Sequence, residues 1–355
     1  ANLSAADKET LKKYNSELAS LETDFNQTLL EGSLAAAQTI NGKKVAIVNT
    51  TQQPLLSELA DRNQRKQLFE AAWNRTDGGA HNTNDILKRI ALLRAKKAAL
   101  LGFKNYAEWS LQRTMAKTPA AIAQFFKDLV PASVGKAKAE AKEIQAQIAK
   151  TGGNFSLEPY DWNFYAEQVR KAKYDLDENE IKPYFELKNA LENGVFYAAT
   201  KLYGITFKER KDIPVYHPDV LVYELFEENG TPLGLFYGDF FARESKRGGA
   251  WMSNFVNQSK LLNTKPVIYN VCNYVKPADG NPALLTYDEL TTLFHEFGHA
   301  LHGFFANQQY ASLSGTAVAR DFVEFPSQFN EHWALYPDIL KNYAVHYQTK
   351  QPIPQ

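Results

Sequence analysis

The sequence predicts a mainly α-helical fold with a small β-sheet. Over the first 200 of its 355 residues, apolar side chains recur every three or four positions, which is the helical period. Near residue 205 the pattern changes to short runs rich in Val, Leu, Tyr and Phe, separated by turn residues, as is typical of strands. A helical pattern returns from residue 286. With 44% hydrophobic residues, the chain can form one large domain or two of ordinary size.

The predicted helices of the first half follow from periodicity and end signals. In the segment 4–30 the apolar residues form a single stripe, so this helix is expected to pack against others. Thr118 and Pro119 are expected to be the cap and first residue of a later helix, with a break near Pro131. Gly152–Gly153 is expected to lie in a loop. The other predicted helices lie around 55–73, 82–101, 105–115, 161–172 and 184–203.

The predicted sheet begins with a hairpin. Asn229–Gly230 separates two apolar runs, a strong signal for a tight turn between strands. "KPVIYNVCNYV" is a third strand, opened by Pro266, which suits a strand start or a sheet edge. This strand is expected either to bind an extended peptide as an added strand or to be an ordinary sheet member. "ARESKRGG" lacks the glycine pattern of a phosphate-binding loop, so a solvated turn is expected there.

Composition excludes several classes of partner. Forty basic and forty acidic residues give no net charge, so a nucleic-acid partner is not expected. No apolar run approaches the length of a bilayer span, so no membrane partner is expected either. The single cysteine, Cys272, excludes an internal disulfide and fits a reducing compartment. The expected location is therefore cytoplasmic. A periplasmic location is the alternative, since the chain starts without methionine and an export signal could have been removed.

The segment "TTLFHEFGHALHGFF" concentrates three of the seven histidines. Upstream of this segment, Thr286 and Glu289 form a capping-box pattern. This pattern predicts that a helix starts there and continues through the histidines. On that helix His295 and His299 lie one turn apart, so both imidazoles can bind one metal ion. Glu296 is offset by about 100° and can flank the ion without binding it. This is the H-E-x-x-H arrangement, and neutral imidazoles suit zinc.

Two further residues of this helix carry expectations. Gly298 costs about 1 kcal/mol of helix propensity, so it is expected to have a packing reason. His302 is expected to be a structural histidine or to support a ligand, rather than to bind the metal itself.

A third ligand is expected in "SGTAVARDFVEFPSQFNEHW", which offers Asp321, Glu324, Glu331 and His332. Asp321 and Glu324 also match a capping box, which would make Glu324 only a helix-cap residue. Pro326 weakens a helix start at Asp321. Spacing alone does not choose between Glu324 and Glu331, because they lie about two turns apart and share a helix face.

The combination of "LFHEFGHALHG" and "DFVEFPSQFNEHW" resembles the zinc peptidases of the thimet-oligopeptidase and peptidyl-dipeptidase family. "FYGDFFARESKRGGAW", "PVIYNVCNY" and "DWNFYAEQVRKAKYDLDENEIKPYFEL" are similar to its bacterial peptidyl-dipeptidase branch. The resemblance covers nearly the whole chain. It implies a zincin-like, neurolysin-like fold of helical halves around a deep substrate channel. Residues 1–180 would form part of the channel wall, and residues 181–355 would form the catalytic region.

The resemblance also implies a complete zinc site. In that family the glutamate of the V-E-x-P-S-Q stretch, here Glu324, joins the two histidines at one zinc ion. Glu296 would be the general base for hydrolysis of short peptides, releasing dipeptides from the C-terminus. Glu331 would then hold a ligand in its orientation.

The chain departs from this family in length. The family's chains continue beyond the zinc site into a His- and Tyr-rich segment that binds substrate, whereas this sequence stops at Gln355. The stretch between Leu29 and Asn49 also looks shortened. We therefore expect a partial chain, and the missing C-terminal portion is an expected partner as a separate chain. The alternative function is an inactive or complementing fragment that binds zinc or peptide without hydrolysing it by itself. A helical scaffold with a coincidental motif is the third hypothesis.

Overall fold

The computed structural model describes residues 3–174, 178–278 and 280–354, leaving aside the side chains of 49–51 and 174. The chain divides into two compact units, Ala1–Asp175 and Leu176–Gln355. The roles expected of the two regions, channel wall and catalytic region, stay predictions. Gln355, at which the sequence stops, lies outside the described residues.

The first unit is helical apart from one two-stranded ribbon. Its elements are α1 (Ala5–Ala35), β1 (Gln38–Ile40), β2 (Lys43–Val45), α2 (Asn49–Glu58), α3 (Arg62–Trp73), α4 (Asn84–Leu100), α5 (Tyr106–Leu111), α6 (Pro119–Lys150) and α7 (Trp162–Tyr174).

Most of the helices predicted for this unit are confirmed, with two corrections. The helix expected over 55–73 is two helices, because Leu59 is extended and Asp61 caps α3 by accepting from the next N–H groups. The break expected near Pro131 is wrong, because α6 continues through that residue. The helix around Pro131 is exposed, so water can donate to the backbone carbonyl one turn earlier, which proline leaves without an N–H donor. Thr118 caps α6 as predicted, accepting from the N–H of Ala121 at 3.2 Å.

The second unit contains the main sheet and the histidine helix. Its elements are α8 (Glu178–Ile181), α9 (Leu187–Asn189), a π-helical stretch (Ala190–Phe196), α10 (Tyr197–Tyr203), β3 (Thr206–Glu209), β4 (Leu221–Phe226), β5 (Pro232–Phe241), β6 (Trp251–Val256), β7 (Val267–Tyr274), α11 (Tyr287–Phe304), α12 (Glu324–Glu331) and α13 (Pro337–Tyr343).

The five strands β3–β7 form one mixed sheet in the order β3-β4-β5-β7-β6. The predicted hairpin is confirmed as the antiparallel pair β4–β5, with Gly230 at φ +81° in its turn. Strand β7 starts after Pro266 as predicted, but the edge position is wrong: it pairs with β5 on one side and β6 on the other. Since both its sides are paired, β7 cannot accept a peptide as an added strand. Within the described residues, the outer strands are β3 and β6.

Helix α11, the histidine helix, packs across the sheet. A Cβ at Gly303 would lie 2.5 Å from Ile268 Cδ1 and 2.8 Å from Met252 Cε, so the helix backbone lies directly on β7 and β6. Phe304 similarly lies against Gly234 of β5. The fold class, mainly α with a small sheet, is thus confirmed. In the part of the chain that the structure describes, no helix is long and apolar enough to cross a bilayer.

Candidate metal centre

The histidine helix α11 starts where the sequence predicted. Thr286 accepts from the N–H of Glu289 at 3.0 Å, and the Glu289 carboxylate accepts from the N–H of Thr286 at 2.9 Å. This reciprocal cap satisfies two of the donors that a helix start leaves open. The partly buried cap fixes where the helix starts, and hence the direction in which its histidines point.

Gly298 sets how closely the second element of the site approaches. A Cβ at this position would lie 2.8 Å from both Ser327 Cα and Asn330 Cβ of α12, closer than such atoms approach in real structures. The packing reason expected for Gly298 is therefore confirmed. Asn330 ties the two helices further, because its side-chain amide donates to the carbonyl of Phe294 at 2.6 Å.

Helix α12 begins with Glu324 itself. The residue before it, Val323, is helical in φ and ψ and makes no side-chain cap bond, so the alternative capping box of Asp321 and Glu324 is wrong. Pro326 falls in the first turn, where its missing N–H has no intrahelical acceptor. The hydroxyl of Ser327 lies 3.0 Å from Glu324 Oε2 and holds that carboxylate toward α11.

The structure brings the three predicted metal ligands together. Glu324 Oε2 lies 3.2 Å from His295 Nε2 and 3.1 Å from His299 Nε2. Among the described residues, these three form the one group of His, Cys, Asp or Glu whose ligand atoms all lie within 4.8 Å of one another. A tetrahedral ion with bonds of about 2.0–2.1 Å separates its ligand atoms by about 3.3–3.4 Å, so the spacing and the N, N, O donor set fit zinc.

Glu296 and His299 are buried at the candidate centre, and burial shifts the pKa values of both. Oε2 of Glu296 and Nδ1 of His299 are buried without a hydrogen-bond partner among the described residues. The pKa of the Glu296 carboxyl is raised to about 7, mainly by burial; of its neighbours, His295 lowers this pKa and Glu324 raises it. Burial lowers the pKa of His299, which favours the neutral imidazole that binds metals.

Of the two residues expected to support the site, Glu331 contacts a metal ligand, whereas His302 lies in a separate cavity. Glu331 Oε1 lies 2.6 Å from Nδ1 of His295, the nitrogen that faces away from Glu324. This is the geometry of a carboxylate that orients a metal-binding histidine. His302 instead lines a separate cavity of about 360 Å³ beside α10 and α12, and its Nδ1 has no partner among the described residues. The roles of both residues stay predictions.

The candidate centre opens into a pocket of about 420 Å³. One wall is the start of β6, the sheet's outer strand, at Ala250, Trp251 and Met252. Arg320 is the cationic side chain among the described residues of the wall, and it is exposed. The site thus combines two imidazoles, two carboxylates, a strand edge and a cation around one open space.

The loop that leads into β6 is pinned by buried polar contacts. Lys246 is 7% exposed, so the solvated turn expected here is wrong for this residue. Its ammonium contacts the Asp239 carboxylate at 3.2 Å, the Phe241 carbonyl at 2.7 Å and the Cys272 carbonyl. Asn273 donates to the carbonyls of Arg247 and Gly249. The wall of the pocket is therefore fixed to β5 and β7.

Sequence reasoning missed Ser327, Asn330, Arg320 and Lys246. Asn330 and Lys246 contact residues far along the chain, and Arg320 lines a pocket that only folding forms. The Ser327 hydroxyl contacts nearby Glu324 in a helix whose packing on α11 is a tertiary feature. The one usable signal was the small, polar "PSQFN" stretch facing a helix that contains Gly298.

The fold is mainly helical with a small mixed sheet, and the site combines an H-E-x-x-H helix with a glutamate from the next helix. This combination is typical of a class of metallopeptidases. The chain belongs to peptidase family M3, whose family model matches residues 55–355.

Individual relatives agree with this assignment. The chain is 52% identical to dipeptidyl carboxypeptidase from Escherichia coli (strain K12), covering 100% of this chain and 56% of that protein. It is 37% identical to oligopeptidase A from the same organism, over 90% of this chain and 48% of that protein. The chain therefore spans about half the length of these relatives. Among solved structures, an oligoendopeptidase F has the same fold at a TM-score of 0.52 and 16% identity, over 96% of this chain and 49% of that one.

Proposed function

We propose that this chain binds one zinc ion through His295, His299 and Glu324 and hydrolyses short peptides, releasing dipeptides from their C-termini. The observation that carries the proposal is the convergence of the three ligand atoms beside the buried Glu296. The similarity to dipeptidyl carboxypeptidases supports the substrate class.

A zinc ion held by these side chains supplies Lewis acidity, lowering the pKa of water toward neutrality and polarising a carbonyl. Glu296 then acts as the general base: its carboxylate takes the proton of the attacking water and later donates it to the leaving amine. In the metal-free protein burial raises the pKa of Glu296, which strengthens it as a base, and a zinc ion bound beside it would lower that pKa again. Glu331 keeps the proton on Nδ1 of His295 and so directs Nε2 toward the ion.

The substrate is expected to lie along β6. An extended peptide can pair with the open side of this outer strand, which forms a wall of the pocket. Arg320, in the same pocket, is a suitable partner for the free C-terminal carboxylate that dipeptide release requires. The peptide thus pairs with β6 rather than with β7, both sides of which are already paired.

The second candidate is a fragment that binds zinc or peptide but does not hydrolyse it alone. This candidate is favoured because the chain spans 56% of the length of dipeptidyl carboxypeptidase from Escherichia coli. In that case a separate chain would supply the remaining substrate-binding groups. The cytoplasmic location, with the periplasm as alternative, stays a prediction.

The test combines zinc content with cleavage of short peptides, read by mass spectrometry, for the purified chain and for Glu296→Gln. The proposal expects one zinc per chain in both proteins, dipeptide products only from the parent, and a loss of at least about 100-fold in the variant. Equal inactivity with zinc retained would establish the second candidate. A parent chain that binds no zinc overturns the proposal, and one that binds neither zinc nor peptide overturns the second candidate as well.

A further inference from the structure

Three buried polar groups lie near the interface of α11 and β7 without hydrogen-bond partners among the described residues. They are Nδ1 of His299, Oε2 of Glu296 and both side-chain atoms of Asn270, the amide nitrogen and the oxygen. The three residues are 8%, 5% and 1% exposed. An unpaired buried polar group costs about 1–3 kcal/mol, so three together on one interface call for an explanation.

The face of β7 that carries Asn270 packs on the histidine helix. Along a strand, alternate side chains share a face, and the neighbours of Asn270 on its face are Ile268 and Cys272. Both belong to the core that contains α11, and Ile268 lies directly at Gly303. Across the ladder, Asn270 pairs with Met252, which lines the metal pocket.

The two elements run in opposite directions, which fixes the level of Asn270 along the helix. Ile268 meets Gly303 near one end, and the hydroxyl of Tyr274 donates to the carbonyl of Glu289 near the other. Two residues along a strand advance about 6–7 Å. The same distance along a helix is four to five residues, which brings Asn270 level with His299.

Two of the unpaired polar atoms of α11 belong to His299 and Glu296, and their positions on the helix suit a contact with Asn270. Nε2 of His299 faces Glu324, so its other nitrogen, Nδ1, is directed away from the metal ligands. Glu296 precedes His299 by three residues, so the two side chains are neighbours on the helix surface. Ala300, also buried on α11, contributes only a methyl group there and leaves space for an amide.

The hydrogen-bonding capacities are complementary. A neutral histidine that binds a metal through Nε2 carries its proton on Nδ1 and must donate it. A carboxylate oxygen only accepts, whereas a side-chain amide offers one acceptor oxygen and a donor nitrogen. We propose that Asn270 is a positioning residue of the metal centre, accepting from Nδ1–H of His299 and donating to Oε2 of Glu296 through buried water.

This role rests on the proposed zinc site and deepens it. Held in this way, His299 keeps the tautomer that presents Nε2 to the ion. Glu296 is anchored through one oxygen, leaving the other for the reacting water. A β-strand residue thereby couples one metal ligand to the general base.

The experiment measures zinc affinity of the full chain by competition with a chromogenic chelator. Asn270→Leu removes both hydrogen-bonding atoms and is expected to weaken zinc binding about 10–100-fold, without lowering the thermal stability of the metal-free protein. Asn270→Asp keeps the acceptor for His299 and is expected to bind zinc more tightly than the leucine variant. Cys272→Ala, on the same face of β7, is the matched control: it should lower thermal stability and leave zinc affinity within about twofold.

If Asn270 only fills space, the ranking reverses: leucine binds zinc like the parent, and the buried aspartate is the damaging change. That result, with zinc bound by the parent, overturns this inference alone. A parent without zinc overturns the proposed function as well. Should the leucine variant not fold, histidine NMR of the zinc-loaded parent and Asn270→Asp decides. The inference expects a slowly exchanging Nδ1 proton whose shift changes in the variant, and an unchanged proton would contradict it.

Discussion

Gly298 of α11 and Ser327 of α12 are in backbone contact: a Cβ on the glycine would lie 2.8 Å from the Cα of the serine. Glu324 lies one turn before Ser327, and the serine hydroxyl contacts its carboxylate. The separation of the two helices therefore sets the distance from Glu324 to the histidines.

Gly298→Ala is expected to push the helices apart. Because the added methyl group meets backbone rather than a flexible side chain, the free energy of unfolding should fall by about 1–3 kcal/mol. Zinc affinity should fall with it, since Glu324 moves away from the imidazoles. Chemical denaturation and metal titration measure the two effects. Gly135→Ala is the control, because a Cβ there, in exposed α6, meets no described atom within 4 Å; this change should stabilise by about 0.5–1 kcal/mol.

Glu331→Gln is expected to weaken zinc binding about 10–100-fold while the fold is retained. The amide keeps the size of the carboxylate but loses the charge that holds the proton on Nδ1 of His295, 2.6 Å away. Metal titration followed by circular dichroism gives both readouts. Glu180→Gln, an exposed change on α8, should leave zinc affinity as it is. Parent-like affinity in Glu331→Gln would mean that this contact does not orient the ligand.

Glu296 is expected to make the metal-free protein less stable as pH rises. Burial raises its pKa from an ordinary value of 4.5 to about 7, so between these values the folded state binds more protons here than the unfolded chain. The free energy of unfolding therefore falls as pH rises through this window. After removal of metal by a chelator, Glu296→Gln should be the more stable protein at pH 8, by on the order of 3 kcal/mol, and this advantage should vanish at pH 4. Thermal unfolding across pH measures it, with exposed Asp338→Asn as the control.

Lys246→Met is expected to lower the free energy of unfolding by about 2–4 kcal/mol. The change leaves the carbonyls of Phe241 and Cys272 without this donor and removes one partner of the buried Asp239. Burial lowers the pKa of this lysine, consistent with an ammonium held away from water. Lys276→Met supplies the comparison: its pair with Asp219 is half-exposed, and its loss should cost under about 1 kcal/mol.

Arg320→Gln is expected to weaken binding of peptides with a free C-terminal carboxylate about 10–100-fold, the loss of one charge-assisted pair. Peptides ending in an amide should bind both proteins alike. Calorimetry on zinc-loaded Glu296→Gln avoids turnover during the measurement. Arg247→Gln is the matched control and should not change peptide binding. This arginine stacks on Trp251 at 4.6 Å but does not line the pocket. An equal loss for both kinds of peptide would remove Arg320 as the carboxylate partner.

Local chemistry explains what could be predicted from the sequence. The capping box at Thr286 and Glu289, the cap at Thr118 and the turn at Gly230 involve residues within three positions of each other, and all three are confirmed. The one-turn spacing of His295 and His299 is likewise a property of any helix. Where the local signal was weak, the outcome differed: Pro131 lies inside a continuous helix, and Pro266 precedes a strand start, as one of its two interpretations predicted, but in a central strand rather than at the sheet edge.

The sequence by itself determined the histidine helix, its start, and the two imidazoles on one side of it, because a helix places residues four apart on one face. Helical spacing left Glu324 and Glu331 open and the family resemblance favoured Glu324, but only the tertiary structure shows that Glu324 faces both histidines, that Glu331 contacts just one, and that β6 edges the pocket. Glu324 and Glu331 are equivalent by helical spacing. They are separated by the close contact at Gly298, which brings Glu324 Oε2 to both Nε2 atoms and Glu331 to the far nitrogen of His295 alone.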